Sequence, residues 1–417
     1  MRSILTEIIT IGDEILYGQI TDTNTQWISA ELNKIGIKTI RKSSVGDNQD
    51  AILTILQEAT ERADIVILTG GLGPTKDDIT KQMLCRFFNT SLEINATALE
   101  FVTDFFTRRG RAITEINRQQ AALPLNATYL PNDWGTAPGM WFSENNTIYV
   151  SLPGVPFEMK NLMQYRVIPN LQKHFDSLPI FHRMILTVGI GESFLAETIA
   201  EWEDALPSHI RLAYLPKFGQ VRLRLTAIGQ DMDVLKAEVA EQERRLLPLI
   251  QRFVYGFDDD DLETVVGRLL QEKNWTLTTA ESCTGGFIAS QITRIPGSSA
   301  YFWGSVVSYS NVVKVNQLGV SPVTLEQYGA VSEQTVQEMA EGVRKVLGTQ
   351  VSLSTSGIAG PTGGTADKPV GTIWIACSTE ERTVTRLLKL GPYREQNIQM
   401  TAVHALNLLR QVLLNEI

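Results

Sequence analysis

The chain has 417 residues, of which 43% are hydrophobic and 20% charged, a composition typical of globular domains rather than of a disordered chain. This length predicts about two to four domains. The net charge of −9 argues against a protein that binds nucleic acid through general electrostatics, so we do not expect a nucleic-acid partner. The three cysteines lie far apart and form no CxxC pair, which favours a reducing compartment.

The first residues, MRSILTEIITIGDEIL, contain an apolar stretch that Glu7 and Asp13 interrupt. We therefore expect neither a signal peptide nor a membrane span, and we expect a cytoplasmic protein without a membrane partner. None of the four histidines clusters with a cysteine, so a Cys/His zinc site is not expected.

The first third of the chain alternates β-branched runs with amphipathic stretches. The patterns predict strands at 3–10, 37–45 and 64–69 and helices at 24–35, 48–63, 78–88 and 96–109. A hairpin around Asn145-Asn146 joins strands at 140–142 and 147–152, and a helix at 157–174 follows. This order predicts a three-layer α/β domain with a mostly parallel sheet over residues 1–175.

The pattern changes after Asp176. Strands at 181–188, 211–215 and 220–227 with helices at 193–202 and 233–250 predict a small α+β module over residues 176–257. The acidic stretch YGFDDDDL at 255–262 marks the next boundary. A third α/β domain over residues 258–417 has predicted strands at 275–279, 305–308, 350–356 and 372–377 and a closing helix at 396–414.

Three glycine loops follow strands of the first domain. The residues expected to contact a phosphate there are Gly12, Gly70, Gly71, Gly73, Thr75 and Gly154. Glycine lets backbone N–H groups approach a phosphate closely, and the carboxyl edge of a parallel sheet is where ligands bind. Carboxylates in these loops would repel a phosphate unless a cation lies between them, so Asp13, Asp78 and Glu158 predict a Mg²⁺ or similar divalent metal site. The alternative is that Asp78 only caps a helix and the glycines only turn the chain.

Two of these stretches resemble the amino-terminal domain of the CinA (competence/damage-inducible) family: IGDEILYG at 11–18 with DTN at 22–24, and TGGLGPTKDDIT at 69–80. That domain is similar to the molybdopterin-binding domains of molybdenum-cofactor assembly proteins. The resemblance implies that Asp78 holds Mg²⁺ and that ADP-ribose is hydrolysed to AMP and ribose 5-phosphate. The middle module resembles the KH-like spacer of the family, and it carries no GxxG loop between helices of the kind that binds RNA.

In the third domain, TAESCTGG at 279–286 joins a strand to a helix and places Ser282 where a nucleophile would be exposed. The N–H groups of Thr284, Gly285 and Gly286 are predicted to face an anion or oxyanion. His404 lies in the apolar closing helix, so we predict Lys314 as the base, with a pKa lowered by burial. Cys283 is the alternative nucleophile, although the simpler interpretation of this residue is a small buried thiol. The simpler interpretation of Ser282 is that it only caps the helix that follows.

A second glycine loop of this domain, SGIAGPTGG at 356–364, follows the strand at 350–356. It is expected to offer phosphate-binding backbone at Gly357, Gly360, Gly363 and Gly364, and Lys368 would add positive charge.

These stretches resemble the nicotinamide-nucleotide amidase domain of the CinA family (PncC-like), through AESCTGG, the segment with Tyr309 and Lys314, SGIAGPTGG and KPVGT at 368–372. The resemblance implies that Ser282 is the nucleophile, that Lys314 and Tyr309 assist it, and that nicotinamide mononucleotide becomes nicotinate mononucleotide and ammonia. Arg394 matches one arginine of the family's GDRxxIR stretch and would bind phosphate, whereas Gln399 replaces the second.

The two resemblances together imply a bifunctional nucleotide-recycling hydrolase, with a homodimer as the expected assembly and no cofactor for the amidase. The alternative is a nucleotide- or pterin-binding scaffold for competence or the DNA damage response, with little catalysis. A third possibility keeps the amidase chemistry and changes the substrate.

Overall fold

The structure, a computed structural model, describes residues 4–75, 77–175 and 178–417. Ser3 in the first predicted strand, Lys76 in the second glycine loop and Asp176 at the first predicted boundary lie outside the described residues. The chain divides into two compact units. The first extends to Phe181 and also contains Ala227–Lys236, and the second comprises His182–Thr226 and Ala237–Ile417.

The strands of the first unit form a six-stranded and a two-stranded sheet. They are β1 (Ile4–Ile11), β2 (Ile37–Val45), β3 (Ile65–Thr69), β4 (Leu92–Ile94), β5 (Ala122–Pro124), β6 (Thr128–Leu130), β7 (Gly139–Glu144) and β8 (Thr147–Leu152). The helices are α1 (Asp13–Leu16), α2 (Thr23–Lys34), α3 (Gln49–Arg62), α4 (Thr80–Phe87), α5 (Ala96–Thr107), α6 (Glu115–Gln119), α7 (Pro156–Leu162) and α8 (Ile168–His174). A π-helical turn at Met163–Val167 interrupts what the sequence predicts as one helix.

The larger sheet has the strand order β2-β1-β3-β8-β7-β6. Strands β2, β1, β3 and β8 run parallel, and β7 and β6 are antiparallel. Strand β3 is buried on both faces, because Val66 and Leu68 belong to one hydrophobic core and Ile65 and Ile67 to another. Helix α3 packs into the first core and α2 into the second, so the predicted three-layer α/β fold is confirmed.

The remaining elements form two four- to five-stranded sheets. The strands are β9 (Ile180–Val188), β10 (Ile210–Lys217), β11 (Gln220–Ile228), β12 (Val254–Phe257), β13 (Leu277–Glu281), β14 (Phe302–Val307), β15 (Val351–Gly357), β16 (Thr372–Ser378) and β17 (Thr383–Lys389). The helices are α9 (Glu192–Asp204), α10 (Met232–Ile250), α11 (Leu262–Lys273), α12 (Phe287–Thr293), α13 (Asn311–Leu318), α14 (Pro322–Tyr328), α15 (Glu333–Leu347) and α16 (Arg394–Leu413).

The sheet orders are β10-β11-β9-β12 and β14-β13-β15-β16-β17. Strand β13 runs parallel to both β14 and β15, so the loops after these three strands open at the same edge. Strands β16 and β17 continue the sheet in antiparallel pairs. Strand β17 is absent from the sequence prediction because its residues are mostly half-exposed and form no apolar run.

The predicted boundary near residue 258 lies within continuous packing. Strand β12 pairs with β9, and a single hydrophobic core contains Leu186 and Tyr255 together with Leu262 and Leu406. Asp258 forms an ion pair with Arg183. The acidic stretch therefore makes more contacts than an exposed linker would. In the described part of the chain, no helix is long and apolar enough to cross a membrane.

Candidate functional site

The three glycine loops of the first unit line one cavity of about 470 Å³ at the carboxyl edge of the large sheet. Gly12, Gly70, Gly71, Gly73 and Gly154 all contribute to its wall. Gly70 is the position where no side chain fits, because a Cβ there would lie 2.0 Å from the carbonyl oxygen of Ile11. Packing within the chain therefore requires a glycine here, and the Gly70 N–H donates to the Leu152 carbonyl at 3.0 Å, as the Gly12 N–H does to the Val45 carbonyl.

Buried polar side chains fix these loops to one another. The Asn24 side-chain amide donates to the Thr69 hydroxyl at 3.0 Å and to the Gly154 carbonyl at 2.8 Å. The Thr69 hydroxyl in turn donates to the carbonyl of Pro153. Thr80, at the start of α4, donates from its hydroxyl to the Gly70 carbonyl. The loops thus form a preorganised unit, and Asn24 is a contributor to which the sequence analysis gave no role.

Each carboxylate predicted as a metal ligand has a hydrogen-bond partner in the chain. Asp78 accepts the N–H groups of Gly73 at 2.8 Å and Thr75 at 2.9 Å, and so closes its own loop. Asp13 accepts the Asp47 N–H at 3.3 Å. Glu158 accepts the side-chain amide of Asn132 at 2.6 Å.

The three predicted ligands are not assembled into one ligand shell. No group of three or more His, Cys, Asp or Glu side chains is arranged to hold a metal among residues 4–75, 77–175 and 178–417. Among the described residues, Asp13, Asp78 and Glu158 are therefore not brought together as one set of three ligands, and a metal that binds there would take fewer carboxylates.

The cavity nevertheless concentrates negative charge. Glu14, Asp47, Asp77, Asp78 and Glu158 line it. Burial raises the pKa of Asp47, and the nearby charges of Asp13, Glu14 and Asp77 raise it further. Burial also raises the pKa of Glu158, against the hydrogen bond from Asn132. Such a wall fits a cation that takes one or two carboxylates and completes its shell with phosphate oxygens and water.

A half-buried lysine, Lys81, lies close to this acidic wall. The Lys81 ammonium donates to the carbonyls of Gln120 at 2.6 Å and Ala122 at 3.0 Å. Burial lowers the pKa of Lys81 to about 8, although the charge of Asp78 opposes the shift. The sequence offered no signal for this residue, because a lone lysine in a helix is normally solvated.

In the second unit, the predicted Ser282 and Lys314 are adjacent. The Lys314 Nζ lies 3.1 Å from the Ser282 Oγ and donates to the carbonyl of Ser308 at 2.6 Å. The Lys314 side chain, near the start of α13, is 1% exposed. Its burial lowers the pKa of Lys314, so the amine loses its proton more readily than a solvated lysine does.

Glu281 organises the loop that contains Ser282. This carboxylate is fully buried and accepts three backbone N–H groups, from Gly286 at 3.0 Å, Ile288 at 3.1 Å and Ala289 at 2.8 Å. It therefore occupies the anion-binding start of α12. The sequence gave no sign of this role, because a single Glu at the end of a strand is not distinctive. The sequence analysis expected a bound anion or oxyanion where the Glu281 carboxylate lies.

The backbone donors near Ser282 differ from the prediction. The N–H of Gly286 donates to Glu281, and the N–H of Gly285 donates to the carbonyl of Ser282 at 3.2 Å. The predicted role of these two N–H groups as oxyanion donors is therefore wrong in this conformation. Thr284 is buried, with its hydroxyl 2.8 Å from that of Thr355.

Arg394 joins the second glycine loop to Tyr309. Its guanidinium donates to the Gly360 carbonyl at 2.9 Å and to the Tyr309 hydroxyl at 3.1 Å. Tyr309 follows Ser308, the carbonyl partner of Lys314, so these contacts lead back to Ser282. Two of the five N–H groups of Arg394 are used in this way, which leaves donors for a ligand.

The other predicted residues of this loop are near the surface or already engaged. Gly357 ends β15, and Gly363 and Gly364 are exposed in the loop that follows. The Lys368 ammonium donates to the carbonyls of Tyr328 and Val331 at 2.7 and 2.8 Å. Its predicted role as a charge for phosphate is thus replaced by a structural one, because it ties the loop to the end of α14.

Cys283 and Gln399, the two remaining residues of the sequence analysis, have no direct role in the site that the structure shows around Ser282. Burial raises the pKa of the Cys283 thiol to about 12, which keeps it protonated and disfavours it as a nucleophile. Gln399 lines a different cavity of about 490 Å³ with Phe287 and Arg294. None of the predicted amidase residues lines that cavity.

Comparison with known families gives three matches that follow one another along the chain. A "Probable molybdopterin binding domain" model matches residues 7–173, a "Damage-inducible protein CinA KH domain" model matches 182–256, and a "CinA C-terminal domain" model matches 259–413. A CinA-like protein of Cytophaga hutchinsonii is 55% identical over 410 residues, which cover 98% of each chain. The chain belongs to the CinA family.

A second full-length relative agrees with this assignment. A CinA-like protein of Flavobacterium psychrophilum is 47% identical over 412 residues and covers 98% of each chain. Among solved structures, the competence/damage inducible protein CihA of Agrobacterium tumefaciens is 35% identical, with a TM-score of 0.36. That match covers 37% of this chain and 96% of the other.

Proposed function

We propose that the carboxy-terminal domain is a serine amidase that converts nicotinamide mononucleotide to nicotinate mononucleotide and ammonia. The observation that carries the proposal is the 3.1 Å contact between Lys314 Nζ and Ser282 Oγ, with the lysine buried. A nucleophile in hydrogen-bond contact with a base of lowered pKa is the arrangement that activates a serine.

The reaction follows from this pair. Neutral Lys314 takes the proton of Ser282 as its Oγ bonds to the amide carbon, and the carbonyl oxygen becomes negative. Collapse of this intermediate breaks the C–N bond, and Lys314 returns the proton to the leaving ammonia. A water molecule then hydrolyses the ester on Ser282 with Lys314 again as base.

The negative charge on the substrate's carbonyl oxygen in the intermediate needs hydrogen-bond donors other than the N–H groups of Gly285 and Gly286. Tyr309 accepts a hydrogen bond from Arg394, so its own hydroxyl proton can be donated to the substrate. The protonated Lys314 also lies within 3.1 Å of Ser282 Oγ and stabilises the negative intermediate. Arg394 retains N–H groups for the phosphate of the mononucleotide, which would orient the amide toward Ser282.

Ammonia release from nicotinamide mononucleotide tests this proposal. Ser282→Ala and Lys314→Ala should each lose at least about 10³-fold in kcat, and the double variant should lose little more because the pair acts as a unit. Ser290→Ala, an exposed serine of α12, is the matched control and should keep wild-type activity. Near-normal turnover in Ser282→Ala would exclude the mechanism. Release from other amides, and none from this nucleotide, would keep the chemistry and change the substrate.

For the amino-terminal domain we propose metal-dependent hydrolysis of ADP-ribose to AMP and ribose 5-phosphate. The 470 Å³ cavity that the glycine loops line supports it, because the carboxyl edge of a parallel sheet is where nucleotide ligands bind. Asp78 and Asp47 are the carboxylates that would hold a divalent cation, which would neutralise phosphate charge. Water attacks one phosphorus atom, the bridging P–O bond breaks, and the leaving phosphate takes a proton from solvent.

Asp78→Asn separates this activity from a binding role. The asparagine keeps an acceptor for the Gly73 N–H, loses the one for the Thr75 N–H and removes the charge, so we expect ADP-ribose hydrolysis to fall by at least about 100-fold while the protein stays folded. Asp50→Asn, an exposed residue of α3, is the control. Full activity of Asp78→Asn, or of the wild type in excess EDTA, would contradict the metal-dependent reaction. ADP-ribose binding without hydrolysis in the wild type would favour the scaffold.

A further inference from the structure

Two aromatic side chains form an exposed pair in the first unit. Trp134 is 53% and Phe157 58% exposed, and their ring centroids lie 5.0 Å apart with the planes inclined by 67°. Single exposed apolar residues are common, but two large rings held together in solvent mark a recognition surface more often than a scattered surface residue does.

The chain segments that carry this pair also contribute residues to the lining of the glycine-loop cavity. Thr136 and Ala137, just after Trp134, line that cavity, and so do Val155 and Glu158, on either side of Phe157. The two rings therefore project from the same two chain segments that form one wall of the cavity. A ligand that fills the cavity and extends past this wall meets them.

The segment that carries Trp134 is held rigidly. The Asn132 side chain accepts the N–H groups of Trp134 at 3.2 Å and Gly135 at 3.1 Å, and its amide donates to Glu158. Asp133 forms an ion pair with Arg166 at 2.9 Å. The order imposed by these contacts lowers the entropy that the pair would lose when a ligand binds.

We infer that Trp134 and Phe157 form a stacking surface for the aromatic base of a nucleotide whose phosphates occupy the glycine loops. The edge-to-face geometry leaves a ring face open, and a flat base can cover it without specific hydrogen bonds. This inference rests on the proposed ADP-ribose hydrolysis and assigns the part of the site that recognises the base.

Calorimetric titration of the full-length protein with AMP and with ribose 5-phosphate tests the inference, because only AMP carries a base. Trp134→Ala and Phe157→Ala should each weaken AMP binding about tenfold, within the range for the loss of one stacked base, and should leave ribose 5-phosphate binding unchanged. Trp134→Phe should recover most of the affinity. Trp303→Ala, which removes a 57% exposed tryptophan from the second unit, is the matched control and should bind AMP as the wild type does.

Steady-state hydrolysis provides the second measurement. In the same variants the KM for ADP-ribose should rise about tenfold with little change in kcat, because the base lies away from the reacting phosphorus. If the variants bind AMP as the wild type does, or lose AMP and ribose 5-phosphate affinity equally, the stacking surface is overturned. Hydrolysis of ADP-ribose by the wild type would then still support the proposed function. A wild type that binds neither ligand and hydrolyses no ADP-ribose would overturn both. Unchanged AMP affinity with loss of self-association would identify the pair as a subunit contact instead.

Discussion

Glu281→Gln removes the charge from the carboxylate that holds the Ser282 loop while keeping the side chain's size. Glu281 is fully buried and accepts three N–H groups at 2.8–3.1 Å. A hydrogen bond to a charged acceptor contributes about 1.5–3 kcal/mol and a neutral one about 0.5–1.5 kcal/mol. The glutamine also turns an NH₂ group toward backbone donors, so at least one of the three bonds is lost.

With two bonds weakened and one lost, these contributions give a decrease of about 3.5–6 kcal/mol in the free energy of unfolding. For a unit of this size, that corresponds to a decrease of roughly 7–24 °C in Tm. Because Ser282 directly follows Glu281, its hydroxyl should also move relative to Lys314, and a shift of about 1 Å lowers kcat on the order of 100-fold. The KM should change less, because Arg394 is fixed by other contacts.

The assay combines thermal unfolding with ammonia release at a temperature well below the variant's Tm. Glu338→Gln is the matched control, because Glu338 accepts the Ser321 N–H at 2.8 Å and the Thr324 hydroxyl at 2.6 Å in the same domain but does not touch the Ser282 loop. It should lower Tm and preserve kcat. The reasoning is refuted if Glu281→Gln keeps the wild-type Tm and kcat, or if both variants lose kcat in proportion to Tm.

Four further predictions concern the site around Ser282 and Lys314. Burial lowers the pKa of Lys314, so kcat should rise with pH through that lowered pKa and then level off, and a pH profile of ammonia release that falls over this range would contradict a lysine base. The same shift means that the unfolded chain holds the Lys314 proton up to a higher pH, so the contribution of Lys314 to stability should increase with pH between the two pKa values. Cys283→Ala should keep most of the activity, and alkylating agents should inactivate it no less than the wild type, because burial raises the thiol pKa to about 12. Loss of turnover in this variant would instead indicate that the thiol is the nucleophile. Arg394→Ala should raise the KM for nicotinamide mononucleotide about tenfold and leave that for the unphosphorylated riboside unchanged, as measured by initial rates, because one charge-assisted phosphate contact is lost; equal effects on both substrates would remove Arg394 from the phosphate site.

The sequence predicts what depends on local pattern. The buried run at Ile65–Thr69 and the turn at Asn145-Asn146 follow from apolar continuity and from residues that tolerate a positive φ, and both are found. The contact between Ser282 and Lys314 could be anticipated because both belong to a recognisable arrangement of nucleophile and base.

Hydrogen-bond partners that depend on three-dimensional packing could not be predicted from the sequence. Glu281 takes the backbone donors expected for a substrate, and Lys368 turns its ammonium to the carbonyls of Tyr328 and Val331. Neither residue type reveals which of several nearby polar groups it will satisfy. The same reason explains why Asp13, Asp78 and Glu158 share one edge of the sheet without sharing one ligand shell.

The hydrophobic core shared by the middle module and the carboxy-terminal domain affects how the protein unfolds. Leu186 and Val188 of β9 pack in the same cluster as Leu262 and Leu406, so neither part buries its apolar surface fully without the other. Burial of this kind couples the two parts thermodynamically, and opening one exposes the other to water. The middle module and the carboxy-terminal domain, which family models match separately, thus share one hydrophobic core, and we expect them to unfold together.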